Sequence, residues 1–214
     1  MLSFSDTTNV NKNVPKNAFY KHLEVNSKLK QVFVNDVDRI TWAYKFATST
    51  LNVADGKDVH EITVFAMLMK RQICPTDMLV YLDKNIPRHT LFILSYNDKS
   101  CAVINFKEAV TNNNTLSYKV TNTYQTDWLP SDQLALKLEG TTMDALYENF
   151  VRQLAGNRIS EKKGTLKEDI ATSQEQQALK KEIETLKKRA AAERQPQKKF
   201  MLHKQIKELE NKLK

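Results

Sequence analysis

Aromatic residues all but stop at one point in the chain. Of the 18 Phe, Trp and Tyr, only Phe200 lies beyond Gly156. A segment this poor in rings cannot fill a globular core of its own. It carries an interrupted apolar seam instead: Leu179, Ile183, Leu186 and Ala190 are spaced 4, 3, 4, and after Arg194-Gln195-Pro196-Gln197 the same spacing returns in Leu202, Ile206, Leu209 and Leu213. That is the pattern of a coiled coil broken once. Pro196 disfavours helix continuation, and each arm is short for a stable isolated helix. The two arms therefore either fold back as a helical hairpin or form a kinked helix that pairs with another chain.

Charge divides at the same place. Residues 1–156 carry 17 Lys/Arg against 16 Asp/Glu, a net of +1, whereas residues 157–214 carry 16 against 9, a net of +7. The basic character belongs to the tail. The expected organisation is a globular domain over 1–156 and a basic linker plus coiled-coil arm over 157–214.

Within the first part the hydrophobic period changes repeatedly. The opening dozen residues are polar and Asn-rich and are expected to extend over the surface or be disordered. Pro15 suits the first turn of a helix carrying Phe19 and Leu23. Asn26-Ser27 can cap a second helix presenting Leu29, Val32 and Phe33. Ile40, Trp42, Tyr44 and Phe46 then alternate with smaller or polar residues, predicting a strand with one large aromatic face. The run from Glu61 to Lys70 is almost continuously apolar, the mark of a central strand covered on both sides.

A helix from Pro75-Thr76-Asp77 to Pro87 follows, and then a hairpin over Leu91–Tyr96 and Cys101–Phe106. After a polar loop from Thr111 to Thr115, Leu116, Tyr118, Val120 and Tyr124 mark a strand nearer the sheet edge. Thr141 or Thr142 caps a last helix bearing Met143, Leu146, Phe150, Val151 and Leu154, with Gly156 placed to end it. The sum is an α+β fold: a mostly antiparallel sheet of about five strands with helical cover, followed by the C-terminal coiled-coil hairpin.

Three stretches carry a family likeness. EITVFAMLMK (Glu61 to Lys70), LDKNIP (Leu82 to Pro87) with LFILSY after it, and LKLEGTTMDALYENFVRQLAG (Leu136 to Gly156) resemble the bacterial family known as domain of unknown function 4391. The likeness extends over essentially the whole chain, Lys-rich heptad tail included. It implies an accessory role in antiviral-defence or restriction loci, beside a helicase or a DNA methyltransferase as protein partner. The family has no established catalytic motif, so the resemblance assigns no catalytic residue.

The chemistry-bearing residues point the same way. Cys74 and Cys101 sit 27 positions apart inside apolar runs, which is neither a metal-ligand spacing nor a disulfide framework, and both read as buried thiols of a reducing compartment. Cys74 at a helix start is the one place where a lowered thiol pKa is conceivable. His22, His60, His89 and His203 are scattered, and no Gly-rich loop precedes a helix. No cofactor is expected. A run long enough to span a bilayer is absent, as is a signal-peptide pattern, so the expected setting is cytoplasmic with no membrane partner.

The tail gives the strongest binding signal. Lys180, Lys181, Lys187, Lys188, Arg189, Arg194, Lys198 and Lys199 surround the expected tip or kink and are suited to neutralising phosphates without sequence preference. Lys-rich outer faces are also the ordinary solvated surface of a coiled coil. No aromatic interleaving accompanies the cations, which leaves base stacking unsupported. Leu179, Ile183, Leu186, Leu202, Ile206, Leu209 and Leu213 are the candidate oligomerisation residues. The resulting expectation is a non-enzymatic accessory protein that assembles through this arm, as a possible homo-oligomer, and contacts nucleic acid. The alternative is a metal-dependent nuclease whose carboxylates converge only in the fold, around Asp36, Asp38 and Glu61. Against it, Glu61 and Lys70 lie at opposite ends of one strand, about 30 Å apart, and the one Glu-x-Lys, Glu161-Lys162-Lys163, falls in the linker.

Overall fold

β-branched and aromatic residues at alternate positions build the sheet that organises residues 1–156. In the computed structural model, which describes residues 4–22, 26–112, 115–159 and 162–213, the chain divides into two compact units, Met1–Gly156 and Asn157–Lys214. The first contains β1 (Asn9–Asn13), α1 (Lys16–His22), α2 (Ser27–Asp36), β2 (Val37–Ala47), β3 (Glu61–Met69), α3 (Thr76–Asn85), β4 (His89–Tyr96), β5 (Lys99–Asn112), β6 (Thr115–Gln125), β7 (Leu129–Pro130) and α4 (Met143–Ala155). The second contains α5 (Leu166–Ala192) and α6 (Pro196–Lys212). Leu23, Glu161 and part of the expected 111–115 loop lie outside the described residues.

The strands lie side by side in chain order, β1 to β6, with β7 added beside the start of β5. Every pairing is antiparallel except that of β3 with β4, which α3 connects. A parallel neighbour needs a crossover, and the ten residues of α3 supply it. β3 is central, and Ile62, Val64 and Met67 are almost wholly buried. β1 departs from expectation: the polar N-terminal stretch pairs with the outer edge of β2, because its backbone donors and acceptors find a ladder there that its side chains do not announce.

One sheet face carries α1, α2 and α3, which bury Phe19, Phe33, Met78, Leu79 and Leu82 against Ile40, Phe65, Met67, Phe92 and Leu94. Asn26 caps α2 by accepting a hydrogen bond from the Leu29 amide at 2.9 Å. The other face carries α4, whose Phe150 stacks on Phe46 at 5.7 Å between ring centroids. Thr142 caps α4, and Gly156 ends it at a φ of 52°. The Asp144 side chain at the first turn accepts the backbone N–H groups of Lys57, Asp58 and Val59 at 2.6, 3.1 and 2.8 Å, tying the β2–β3 loop to this helix. Gly56 fits beneath that carboxylate because it lacks a Cβ, which would lie 2.5 Å from Asp144 Oδ1.

The single aromatic face expected of β2 is split in two. Trp42 pairs with Phe65 and Tyr44 with Val64, so Ala43 is an extra residue, a β-bulge. A one-residue slip exchanges faces. Ile40 and Trp42 therefore join the core under α1–α3, while Tyr44 and Phe46 turn to the α4 side. The Trp42 indole N–H donates to the Tyr44 carbonyl at 3.0 Å across the bulge.

In the second unit α5 and α6 form a hairpin, deciding between the two geometries the broken seam allowed. Pro196 stands in the first turn of α6, where its missing N–H costs nothing. Ile183, Leu186, Ala190 and Ile206 are buried together, with Leu202, Leu209 and Leu213 packed on them. Leu179 is half-buried and outside that cluster. The expected linker is helical from Leu166 onward: Thr165 and Glu168 form a capping box, a start signal strong enough to extend α5 to 27 residues.

Candidate functional site

Ion pairing separates the eight tail cations. All eight are exposed on the hairpin. Lys187 reaches across to Glu210 on α6 at 2.6 Å, and Lys188 pairs with Glu184 one turn before it at 2.7 Å. Lys180, Lys181, Arg189, Arg194, Lys198 and Lys199 have no ion pair among the described residues. Three of them, Arg194, Lys198 and Lys199, bracket the turn into α6.

Directly after Lys199 stand Phe200 and Met201, 69% and 57% exposed, the most exposed large apolar side chains of this unit. Phe200 is the single Phe, Trp or Tyr of this unit, and it stands at the edge of the cations without interleaving them. Phe200 falls outside the 4, 3, 4 seam, and the fold-back that buries Leu202 and Ile206 turns it to solvent. A ring beside unpaired cations presents both a stacking face and phosphate partners.

The candidate nuclease carboxylates do not come together. Asp36, at the end of α2, is buried and pairs with Arg71, whose Nε donates to it at 2.6 Å. Asp38 is exposed at the start of β2. Glu61 lies opposite Ala47, at the far end of β2, where it pairs with Lys45 at 3.2 Å and Arg88 at 3.3 Å. Nine residue steps along the strand, about 30 Å, separate Asp38 from that position. Among the described residues no group of three or more His, Cys, Asp or Glu is arranged to hold a metal ion.

The thiols are poor nucleophiles. Burial pushes the Cys74 thiol up, against the lowering conceivable at a helix start, and pushes Cys101 up to about 12. Of the histidines, His60 is exposed and pairs with Asp55 at 3.0 Å, and His203 is exposed on α6. His89 is buried, and loss of solvation together with the nearby Lys107 ammonium draws it down to about 3. The described part of α1 includes the backbone of His22.

Sequence reasoning missed a buried ionic cluster between α3 and β5. Lys107 and Asp83 pair at 2.9 Å with 0% and 1% of their side chains exposed. The Lys107 ammonium also donates to the carbonyls of Asp83, Ile86 and Arg88 at 2.7, 2.9 and 2.5 Å, closing the C-terminal end of α3. Asn105 donates to Asp83 Oδ2 at 3.0 Å, and the Tyr147 hydroxyl donates to the Asn105 carbonyl. Burial lowers the Lys107 pKa and raises that of Asp83, while their attraction opposes both shifts. With its donors saturated and no solvent access, this lysine serves as a structural latch. The available signal was Asn105 and Lys107 at alternate positions directly after the apolar run Cys101–Ile104.

Among the described residues no helix is long and apolar enough to cross a membrane. No curated protein and no solved structure matches the chain. The model of one family, Domain of unknown function (DUF4391), matches residues 2–213. Since that match takes in both the sheet unit and the helical hairpin, the chain belongs to the DUF4391 family.

Proposed function

We propose that this protein is a non-enzymatic accessory component of a DNA-processing system, in which the α+β unit docks a larger protein and the hairpin engages nucleic acid through its cations. The observation that carries this reading is the set of six exposed cations with no ion pair among the described residues, on a hairpin whose apolar seam is already closed within the chain. A bacterial antiviral-defence or restriction-type setting, with a helicase or methyltransferase as the docked protein, is the context the family resemblance implies. Self-association through the arm falls to Phe200 and Met201, since Ile183, Leu186 and Ile206 are spent on the hairpin.

Phosphate neutralisation gives the test its magnitude. Six contacts on duplex DNA correspond to a log–log salt slope of about −5, or roughly a thousandfold loss of affinity between 50 and 200 mM salt. Fluorescence anisotropy with a labelled 20-base-pair duplex and the matching single strand measures it. Replacing Arg194, Lys198 and Lys199 by Glu should abolish retention on both. Phe200→Ala should weaken the single strand more than the duplex. A slope near zero, or retention unchanged in the triple variant, would refute the nucleic-acid role; light scattering of the full chain with Phe200→Ser and Met201→Ser tests self-association.

A further inference from the structure

α4 covers only part of its sheet face. Along β3 the residues on that face pass from fully buried, Ile62 and Val64, to half-buried, Ala66 and Leu68, as the strand runs out from beneath the helix. Over the uncovered part lies a concavity of about 510 Å³. It has the size and mixed lining of small-ligand sites. We propose that it binds a small amphipathic anion, a carboxylate or phosphate carried on an apolar body.

The floor supplies the apolar half of that specificity: Val64, Ala66, Leu68 and Ile93 lie across two central strands, and Tyr44 forms a wall. The bulge at Ala43 creates the wall, because without the slip Tyr44 would face α1–α3. Short floor side chains leave the depth that a longer residue at Ala66 would fill.

The polar half is a hydroxyl chain and a cation. Ser95 and Ser100 lie 3.0 Å apart between their Oγ atoms, and Ser100 and Ser131 2.8 Å apart. Three hydroxyls joined by two hydrogen bonds use two of their three protons, so the chain as a whole keeps one O–H for a further acceptor. Of the fifteen residues lining the cavity, Arg39 alone carries a charge at neutral pH. It is exposed, and its side chain has no hydrogen bond or ion pair among the described residues. A guanidinium with no acid among the other lining residues, sharing the cavity with a hydroxyl chain that keeps a proton to donate, selects a negatively charged oxygen group. The positive-φ residues Asn11 (45°) and Asn97 (52°) belong to a strand irregularity and a hairpin turn, and both also line this cavity.

The test uses the full chain and the fluorescent anion 8-anilinonaphthalene-1-sulfonate as probe, with octanoate and adenosine monophosphate as competitors. One saturable site with enhanced fluorescence is expected. Ala66→Phe should abolish it, with Thr41→Phe as a second filling variant, both checked for native circular dichroism and cooperative melting. Arg39→Gln should weaken the anion about tenfold and leave the uncharged analogue N-phenyl-1-naphthylamine unaffected. Displacement by octanoate alone would identify the carboxylate, and displacement by the nucleotide alone the phosphate. No saturable site, displacement by neither competitor, fluorescence that persists in a folded filling variant, or an anion indifferent to Arg39→Gln would each overturn the proposal.

Discussion

Removing the Lys107 ammonium isolates the most consequential interaction in the sheet unit. Lys107→Met keeps the length and apolar stem of the side chain but leaves Asp83, 1% exposed, without its cation, and leaves three carbonyls of the α3 end without their shared donor. Breaking a buried ion pair from one side costs about 3–5 kcal/mol. That is a large share of the ~5–15 kcal/mol that holds a domain folded. At about 2–4 °C per kcal/mol for a chain of this size, the midpoint should fall by roughly 6–20 °C. Urea unfolding followed by circular dichroism, for the wild type, Lys107→Met, Asp83→Leu and the double variant, provides the cycle. The double variant should recover the part due to the stranded charge but not the part due to the carbonyls, so its deficit should fall well short of the sum of the singles.

The pH dependence of Lys107→Met supplies a second arm with a definite sign. Burial already raises the Asp83 pKa, and loss of the ammonium raises it further. The folded variant then binds a proton more readily than the unfolded chain, whose carboxyl has its ordinary pKa of about 3.9. Stability of the variant relative to wild type should therefore improve as pH falls from 7 toward 5. A deficit below about 1 kcal/mol, or strict additivity in the cycle, would refute the view of Lys107 as a buried latch.

His89 titrates in the opposite sense: it is neutral in the folded protein down to about 3, whereas the unfolded chain takes up the proton near the usual 6.5. Stability should fall as pH drops below 6.5, by up to about 1.4 kcal/mol per unit from this group, and His89→Phe should remove that share of the slope in denaturation curves between pH 6 and 4. Asp144→Ala strands the amides of Lys57, Asp58 and Val59, so hydrogen exchange there should speed up and stability drop by about 1–3 kcal/mol; unchanged protection would count against the tie. Ile206→Ala should cost the hairpin about 2–4 kcal/mol and accelerate amide exchange along α6. If the seam is intramolecular, the mass measured by light scattering should stay the same.

Local periodicity carried much of the architecture. The alternation in β2, the apolar run of β3, the caps of α2 and α4 and the repeated 4, 3, 4 spacing each bind neighbours a few residues apart, so one chain suffices to show them. The capping box at Thr165 and Glu168 was equally local, and it marks the helix start that the basic composition of the tail obscured. What only the tertiary structure decided depends on partners far along the chain. The bulge at Ala43 is invisible until β3 fixes the register, and it sends Tyr44 to the face opposite Trp42. The pairing of the Asn-rich β1 rests on backbone groups with no side-chain signature. The separation of Asp38 from Glu61, the meeting of Lys107 with Asp83 and the open cavity beside α4 all follow from strand order and crossover. Periodicity states which side of an element is apolar, and only the packed sheet determines what that side meets.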